Sequence, residues 1–191
     1  MTRVSPRIKA RIVGVLYLAG LVIAASGELA LHGKLAYAAG YIAIAMYVAM
    51  TLLVYDIFKP VNRGLALLAA FFSLVGLGFE ALRWNPRGVD IALVFSGLFC
   101  LVLGYLTFKS TFVPRIFGAP MAIAGFGWMT YISPPLAEHF APYNLACGLL
   151  GEASLMLWLL VMAVNEERWK MQAGAAGAWR AQRAMNGRQG D

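Results

Sequence analysis

Charged residues are scarce in this chain. Only 13% of its 191 residues are Asp, Glu, Lys or Arg, whereas a soluble domain of this size carries about 25%. Hydrophobic residues make up 61% of the sequence and the mean hydropathy is +0.70. The sequence therefore lacks the polar surface of a soluble domain, and we expect lipid to be its main solvent.

Cysteine and histidine are also rare, with two of each. Cys100 and Cys147 form no C-x-x-C pair and no metal-ligand spacing, which predicts two packing thiols. His32 and His139 form no H-x-x-x-H or E-x-x-H motif, and this argues against a metal or haem site. P-loop and G-x-S-x-G motifs are absent as well. The sequence thus predicts neither a cofactor nor a metal ion.

Long hydrophobic runs are what the chain has in abundance. A transmembrane helix needs about 20 mostly apolar residues, and six segments approach or meet that length: residues 12–31, 35–58, 65–82, 89–108, 116–132 and 143–165. We expect one transmembrane domain over residues 1–170. A basic cytoplasmic tail follows over residues 171–191, either interfacial or disordered.

The basic residues predict the topology. Thirteen of the 16 Lys and Arg residues lie before the first segment, between segments two and three, between four and five, or after the sixth. The other three are Lys34, Arg83 and Arg87. Because cytoplasmic loops carry an excess of Lys and Arg, both termini are expected in the cytoplasm. Short connections make neighbouring helices antiparallel, so the predicted fold is an all-α, six-transmembrane-helix, up-and-down bundle.

Two other interpretations of the basic residues fit less well. The net charge of +7 could indicate nucleic acid, but the charge is split among short membrane-flanking stretches and forms no binding face. Residues 1–26 resemble a secretory signal, but the apolar segment continues to Leu31, which favours a retained helix.

Three glutamates fall within the predicted spans. Glu28 lies about 6 Å from the end of its span and Glu80 lies at a similar depth, whereas Glu152 lies about 14 Å from Tyr143, near the middle of the bilayer. An ionised group at that depth costs about 3 kcal/mol on insertion scales. Glu152 is therefore expected to be protonated, paired or in contact with water.

Other polar residues lie within reach of these glutamates. Helical spacing pairs Glu80 with Arg83, and Glu28 with His32. If spans one, three and six adjoin, these groups converge on a pocket open to the outside. The predicted ligand-binding residues are Glu152, Glu80, Arg83, Glu28, His32, Asn144 and His139.

The sequence leaves three functional classes open. The first is a binding or transport protein for a small or lipid-like ligand, which is the function we favour because ionisable groups at membrane depth are functional candidates. The second is a structural or accessory subunit of a membrane complex, in which polar residues only hold helices together. The third is an intramembrane acid–base enzyme acting on a lipid-like substrate. Expected partners are membrane lipids, such a ligand, a second copy of the chain or a larger complex, and no nucleic acid.

Several short motifs resemble a known family. They include RIVGVLYL at residues 11–18, GLFCLVLGY at 97–105, FVPRIFG at 112–118 and GEASLMLWLL at 151–160. Residues 8–170 resemble the bacterial domain-of-unknown-function 4386 family of small, roughly six-helix membrane proteins. The resemblance implies a multi-pass protein of the bacterial inner membrane and supplies no activity, although Glu152 lies within one of its motifs.

Overall fold

A computed structural model describes residues 4–188 of the chain, apart from the side chains of Glu28 and of residues 180–188. The described residues form eight α-helices joined by short loops and 3₁₀ turns, without a β-strand. The helices are α1 (Pro6–Leu29), α2 (Lys34–Phe58), α3 (Arg63–Leu82), α4 (Ile91–Lys109), α5 (Gly118–Met129), α6 (Pro134–Phe140), α7 (Tyr143–Val161) and α8 (Glu166–Arg188). The predicted all-α class is confirmed.

Side-chain caps mark where several helices begin. Ser5, Asn62, Asp90 and Asn165 each accept a hydrogen bond from a backbone N–H in the first turn of the helix that follows. Such residues are preferred at this position because the first N–H groups of a helix have no partner within it. The caps fix the starts of α1, α3, α4 and α8.

Five of the helices are long and apolar enough to cross a membrane, namely α1, α2, α3, α4 and α7. The chain is therefore a multi-pass membrane protein by helix length and hydropathy. The predicted span over residues 116–132 differs from this pattern, because its α-helical part, α5, has only 12 residues. Three-residue 3₁₀ turns, Arg115–Phe117 and Thr130–Ile132, adjoin it at each end.

Six helices pack in a closed ring that follows the order of the chain. Each of α1, α2, α3, α4, α5 and α7 packs against the next, and α7 packs against α1 to close the ring. The ring closes at Gly14, where an added Cβ would lie 2.6 Å from Cβ of Leu160 and 2.7 Å from the carbonyl oxygen of Met156. Close approach at small residues supplies packing that the hydrophobic effect cannot supply in lipid.

The short helix α5 packs tightly between α4 and α7. A Cβ at Gly97 of α4 would lie 2.8 Å from the carbonyl oxygen of Gly125, and one at Gly151 of α7 would overlap the carbonyl of Pro120. Pro120 lies in the first turn of α5, where its missing N–H leaves no helical hydrogen bond unmade. Glycines on α4 and α7 thus form the surfaces against which α5 packs.

The two ends of the ring differ in charge. One end, here called the basic end, contains the start of α1, the α2–α3 loop, the α4–α5 loop and the junction between α7 and α8. Asp56 forms ion pairs there with Lys9 of α1 and with Lys59. The opposite end, here called the distal end, holds the α1–α2 loop, the α3–α4 loop and α6.

Helix α8 occupies most of the tail. Its Trp169 donates a 2.9 Å hydrogen bond to the carbonyl of Ile57 at the end of α2. Gln172 accepts bonds of 3.1 and 2.9 Å from the backbone N–H and hydroxyl of Thr111 in the α4–α5 loop. The part of the predicted tail that the structure describes is thus helical and in contact with the basic end, whereas residues 189–191 lie outside the described residues.

Candidate functional site

Glu152 lies on the inner side of α7 and accepts hydrogen bonds from three other helices. Nε1 of Trp128, on α5, donates to Oε1 over 2.6 Å. The Cys100 thiol, on α4, donates to the same oxygen over 3.1 Å, and the Tyr17 hydroxyl, on α1, donates to Oε2 over 3.1 Å. These four residues are called the Glu152 cluster below. Glu152 is thus an acceptor in the interior of the ring and does not face lipid.

Small residues on α7 make room for this geometry. A Cβ at Gly148, one turn before Glu152, would overlap the indole of Trp128. Because position 148 carries only hydrogen, the indole packs closely against α7 and its N–H reaches the carboxyl group one turn further on. The three donor residues are almost fully buried, with exposed fractions of 4% for Tyr17, 0% for Cys100 and 5% for Trp128.

The cluster links helices from both sides of the ring. Tyr17 lies on α1 and Trp128 lies on α5, the two helices that pack against α7 in the ring. Cys100 lies on α4, which is not adjacent to α7 in the ring. Removing one partner from a buried hydrogen bond leaves the other with its full desolvation cost, about 1–3 kcal/mol. Glu152 therefore provides the acceptor for three donor residues that are almost fully buried.

A cavity of about 270 Å³ lies between α1, α2, α3 and α4, and is called the α1–α4 cavity below. At the distal end of the cavity, the guanidinium of Arg83 lies 4.2 Å from the centre of the Tyr37 ring. The Tyr41 hydroxyl donates to the carbonyl of Ala81 over 3.4 Å, joining α2 to α3 beside it. The lining is mostly small and apolar, with polar groups from Tyr37, Tyr41, Tyr47, Glu80, Arg83 and Ser96.

The cavity and the Glu152 cluster are neighbours separated by two tyrosine rings. Along α2 the cavity runs from Ala36 to Tyr47, about 16 Å at 1.5 Å per residue. Tyr47 forms part of its deep end, and its ring centre lies 6.2 Å from that of Tyr17, the residue that donates to Glu152. Glu152 does not line the cavity.

The predicted site residues lie in several places. Glu80 and Arg83, two of the predicted ligand-binding residues, line the α1–α4 cavity. Glu152 lies behind the cavity in its own cluster. His32, in the α1–α2 loop, and His139, on α6, are exposed and do not line the cavity. The Glu28 side chain lies outside the described residues.

The Asn144 side chain forms three hydrogen bonds at the start of α7. It is 4% exposed, and its side-chain nitrogen donates to the hydroxyl of Thr130 over 3.1 Å and to the carbonyl of Ala137 over 3.0 Å. Its side-chain oxygen accepts from the backbone N–H of Leu145. Asn144 thereby fastens α7 to the chain segment around α6 and does not line the cavity.

The expected convergence of spans one, three and six is only partly present. Helix α7 packs against α1, but α3 packs against α2 and α4 because the ring follows the order of the chain. One pocket cannot then collect the polar groups of α3 and α7 side by side. In the structure they form two adjacent sites instead.

Sequence reasoning missed four residues that matter here. Tyr17, Tyr47 and Trp128 look like ordinary aromatic residues of a membrane helix, yet two of them supply donors to Glu152. The available signal was that buried Tyr and Trp usually find a hydrogen-bond partner. Asp56 was missed as well, although a carboxylate in an apolar span next to a basic loop favours an ion pair.

The described residues contain no group of three or more His, Cys, Asp or Glu side chains arranged to hold a metal ion. In the Glu152 cluster, one carboxyl group accepts hydrogen bonds from a hydroxyl, a thiol and an indole N–H.

We predict that Glu152→Ala destabilises the protein by about 3 kcal/mol or more, because it leaves three buried donors without an acceptor. Glu152→Gln keeps the shape and one carbonyl oxygen, so its loss should be smaller, about 1 kcal/mol. Thermal unfolding in detergent measures both. Glu138→Ala, at an exposed position of α6, is the matched control. Equal unfolding temperatures for Glu152→Ala and the control would contradict the role assigned to Glu152.

Part of the chain is similar to known protein sequences. Residues 77–163 match the model of a family described as "Domain of unknown function (DUF4386)". An "Uncharacterized protein" of Archaeoglobus fulgidus is 26% identical over 132 residues, covering 63% of this chain and 79% of the relative. This relative is archaeal, whereas the resemblance implied a bacterial protein. No solved structure matches the chain significantly. The predicted resemblance to this family is confirmed over residues 77–163, a shorter range than 8–170.

Proposed function

We propose that this membrane protein binds a small or lipid-like ligand in the α1–α4 cavity. The observation that carries the proposal is the shape and chemistry of the cavity. It extends from the charged side chains of Arg83 and Glu80 to an apolar interior that ends at Tyr47. Tyr47 lies about 16 Å further along α2 than Ala36, at about half the depth of a bilayer. Ligand pockets are mostly apolar with a few well-placed polar groups, and this cavity has that composition.

The size and charge of the cavity suggest the ligand class. A volume of about 270 Å³ lies just below the usual range of about 300–1,000 Å³ for ligand sites. The ligand is accordingly a small amphipathic molecule or one chain of a lipid. Its polar end lies near Arg83, and its apolar part lies among Gly40, Ile44 and Leu77.

Glu152 has an indirect part in this proposal. It holds Tyr17 by a hydrogen bond, and Tyr17 packs against Tyr47 at the deep end of the cavity. The carboxyl group thus positions the wall of the cavity without touching the ligand. The intramembrane-enzyme alternative fits less well, because both carboxyl oxygens of Glu152 already accept hydrogen bonds from Tyr17, Cys100 and Trp128.

The proposal includes six spans with both termini in the cytoplasm of a bacterial cell. The continuous helical run of α5 with its two 3₁₀ turns covers residues 115–132. At 1.5 Å per α-helical residue and 2.0 Å per 3₁₀ residue its length is about 30 Å, enough to cross the hydrocarbon core. Together with the concentration of Lys and Arg at the basic end, this supports a sixth span and a cytoplasmic basic end.

We predict that Gly40→Leu abolishes ligand binding without unfolding the protein. Gly40 lines the cavity, and the only atom within 4 Å of an added Cβ there is an Arg83 guanidinium nitrogen at 4.0 Å. A leucine side chain therefore fills the cavity without a backbone clash. Native mass spectrometry of protein extracted gently from its own membranes should show a bound small molecule or lipid on the wild type and not on the variant.

Gly78→Leu is the matched control for this experiment. Gly78 is also helical, has nothing within 4 Å of an added Cβ and does not line the cavity. It should retain the ligand as the wild type does. Equal retention by Gly40→Leu and Gly78→Leu would argue against the cavity as the binding site.

We predict that the thiol introduced by Gly33→Cys reacts with a membrane-impermeant maleimide in intact cells, whereas the thiol introduced by Asn62→Cys reacts only after the cells are opened. Gly33 lies in the distal α1–α2 loop and Asn62 in the α2–α3 loop at the basic end. A Cys147→Ser background removes the half-buried native thiol. The reverse labelling pattern would place the basic end outside the cell and overturn the topology.

A further inference from the structure

A groove at the basic end is separate from the α1–α4 cavity. It has a volume of about 430 Å³ and lies between the end of α7, the α4–α5 loop and the start of α8. It is called the basic-end groove below. Its polar lining includes Arg7, Arg168 and Trp158, and its apolar lining includes Phe112 and Met162.

Both arginines of the groove offer free positive charge. Arg7, on α1, and Arg168, on α8, are exposed, and neither forms an ion pair with any residue that the structure describes. The nearby Glu166 is engaged by Lys170 over 2.8 Å. Two helices from opposite ends of the sequence thus bring two guanidinium groups to one opening.

Trp158 adds a donor that lacks an acceptor. Its ring packs against Phe117 with the ring centres 5.0 Å apart. Its Nε1 is buried and has no hydrogen-bond partner among the described residues. A buried Trp N–H usually finds a partner, and Trp residues concentrate at the depth of lipid head groups. This N–H points to an acceptor supplied from outside the chain.

We infer that the basic-end groove binds the head group of an anionic phospholipid. Arg7 and Arg168 hold the phosphate, since guanidinium groups match phosphate oxygens with paired hydrogen bonds. The Trp158 N–H donates to a phosphate or ester oxygen, and Met162 and Phe112 contact the start of an acyl chain. The membrane supplies this occupant at the end of the transmembrane helices, and basic pockets at the cytoplasmic side bind such lipids.

The test is native mass spectrometry of the full chain reconstituted in nanodiscs that contain equal amounts of phosphatidylglycerol and phosphatidylcholine. The wild type should retain phosphatidylglycerol selectively. Arg7→Gln with Arg168→Gln should lower that retention about 25-fold, because each basic group beside an anionic lipid contributes about fivefold. Arg11→Gln with Arg63→Gln is the matched control, since both residues are exposed at the same end and neither lines the groove. This control should leave retention unchanged.

A second variant separates the indole N–H from general charge. Trp158→Phe keeps an aromatic ring against Phe117 and should lower retention about fivefold, the effect of one hydrogen bond. Trp84→Phe, at an exposed distal position, should have no effect. Equal losses in the two double-arginine variants would overturn the inference, because they would show attraction by net charge alone. Displacement of the lipid by millimolar inorganic phosphate would also overturn it, since that would indicate a site for free anions.

Discussion

The structure depends on one constraint: a carboxyl group surrounded by apolar helices must have hydrogen-bond partners. Glu152 meets it by accepting from Tyr17, Cys100 and Trp128, which come from three other helices. The cost of burying a polar group without a hydrogen bond is several kcal/mol. The helices that carry the donors are therefore held at fixed positions around α7. Glycines on α7 and α5 allow the approach that these short bonds require.

The α1–α4 cavity follows from the same arrangement. Tyr17 is held by Glu152 on one side and packs against Tyr47 on the other, so the deep end of the cavity has a fixed wall. The distal part of its wall is formed separately, by Arg83 stacked on the ring of Tyr37. At the opposite end, α8 contacts the loops through Trp169 and Gln172. Ligand binding and head-group binding are thus assigned to opposite ends of the ring.

Sequence reasoning reached the features that depend on local composition. Hydropathy located the five long helices that the structure describes, and the predicted depth of Glu152 singled it out as a residue that needs partners. The order of the helices around the ring, which separates α3 from α7, could not be predicted from the sequence. Close packing at glycines such as Gly14 and Gly151 decides which helices meet. The shortness of α5 was also missed, since 3₁₀ turns carry the same apolar residues as an α-helix. The cavity is a volume left between four helices, and no single segment encodes it.

The central claim is that Glu152 and its donors act as a unit, and a double-mutant cycle tests this most directly. Free energies of unfolding would be measured for the wild type, Glu152→Gln, Trp128→Phe and the double variant. The 2.6 Å bond between these residues predicts a coupling of about 1–3 kcal/mol. Effects that add to within about 0.5 kcal/mol would contradict the account, because independent sites behave in that way.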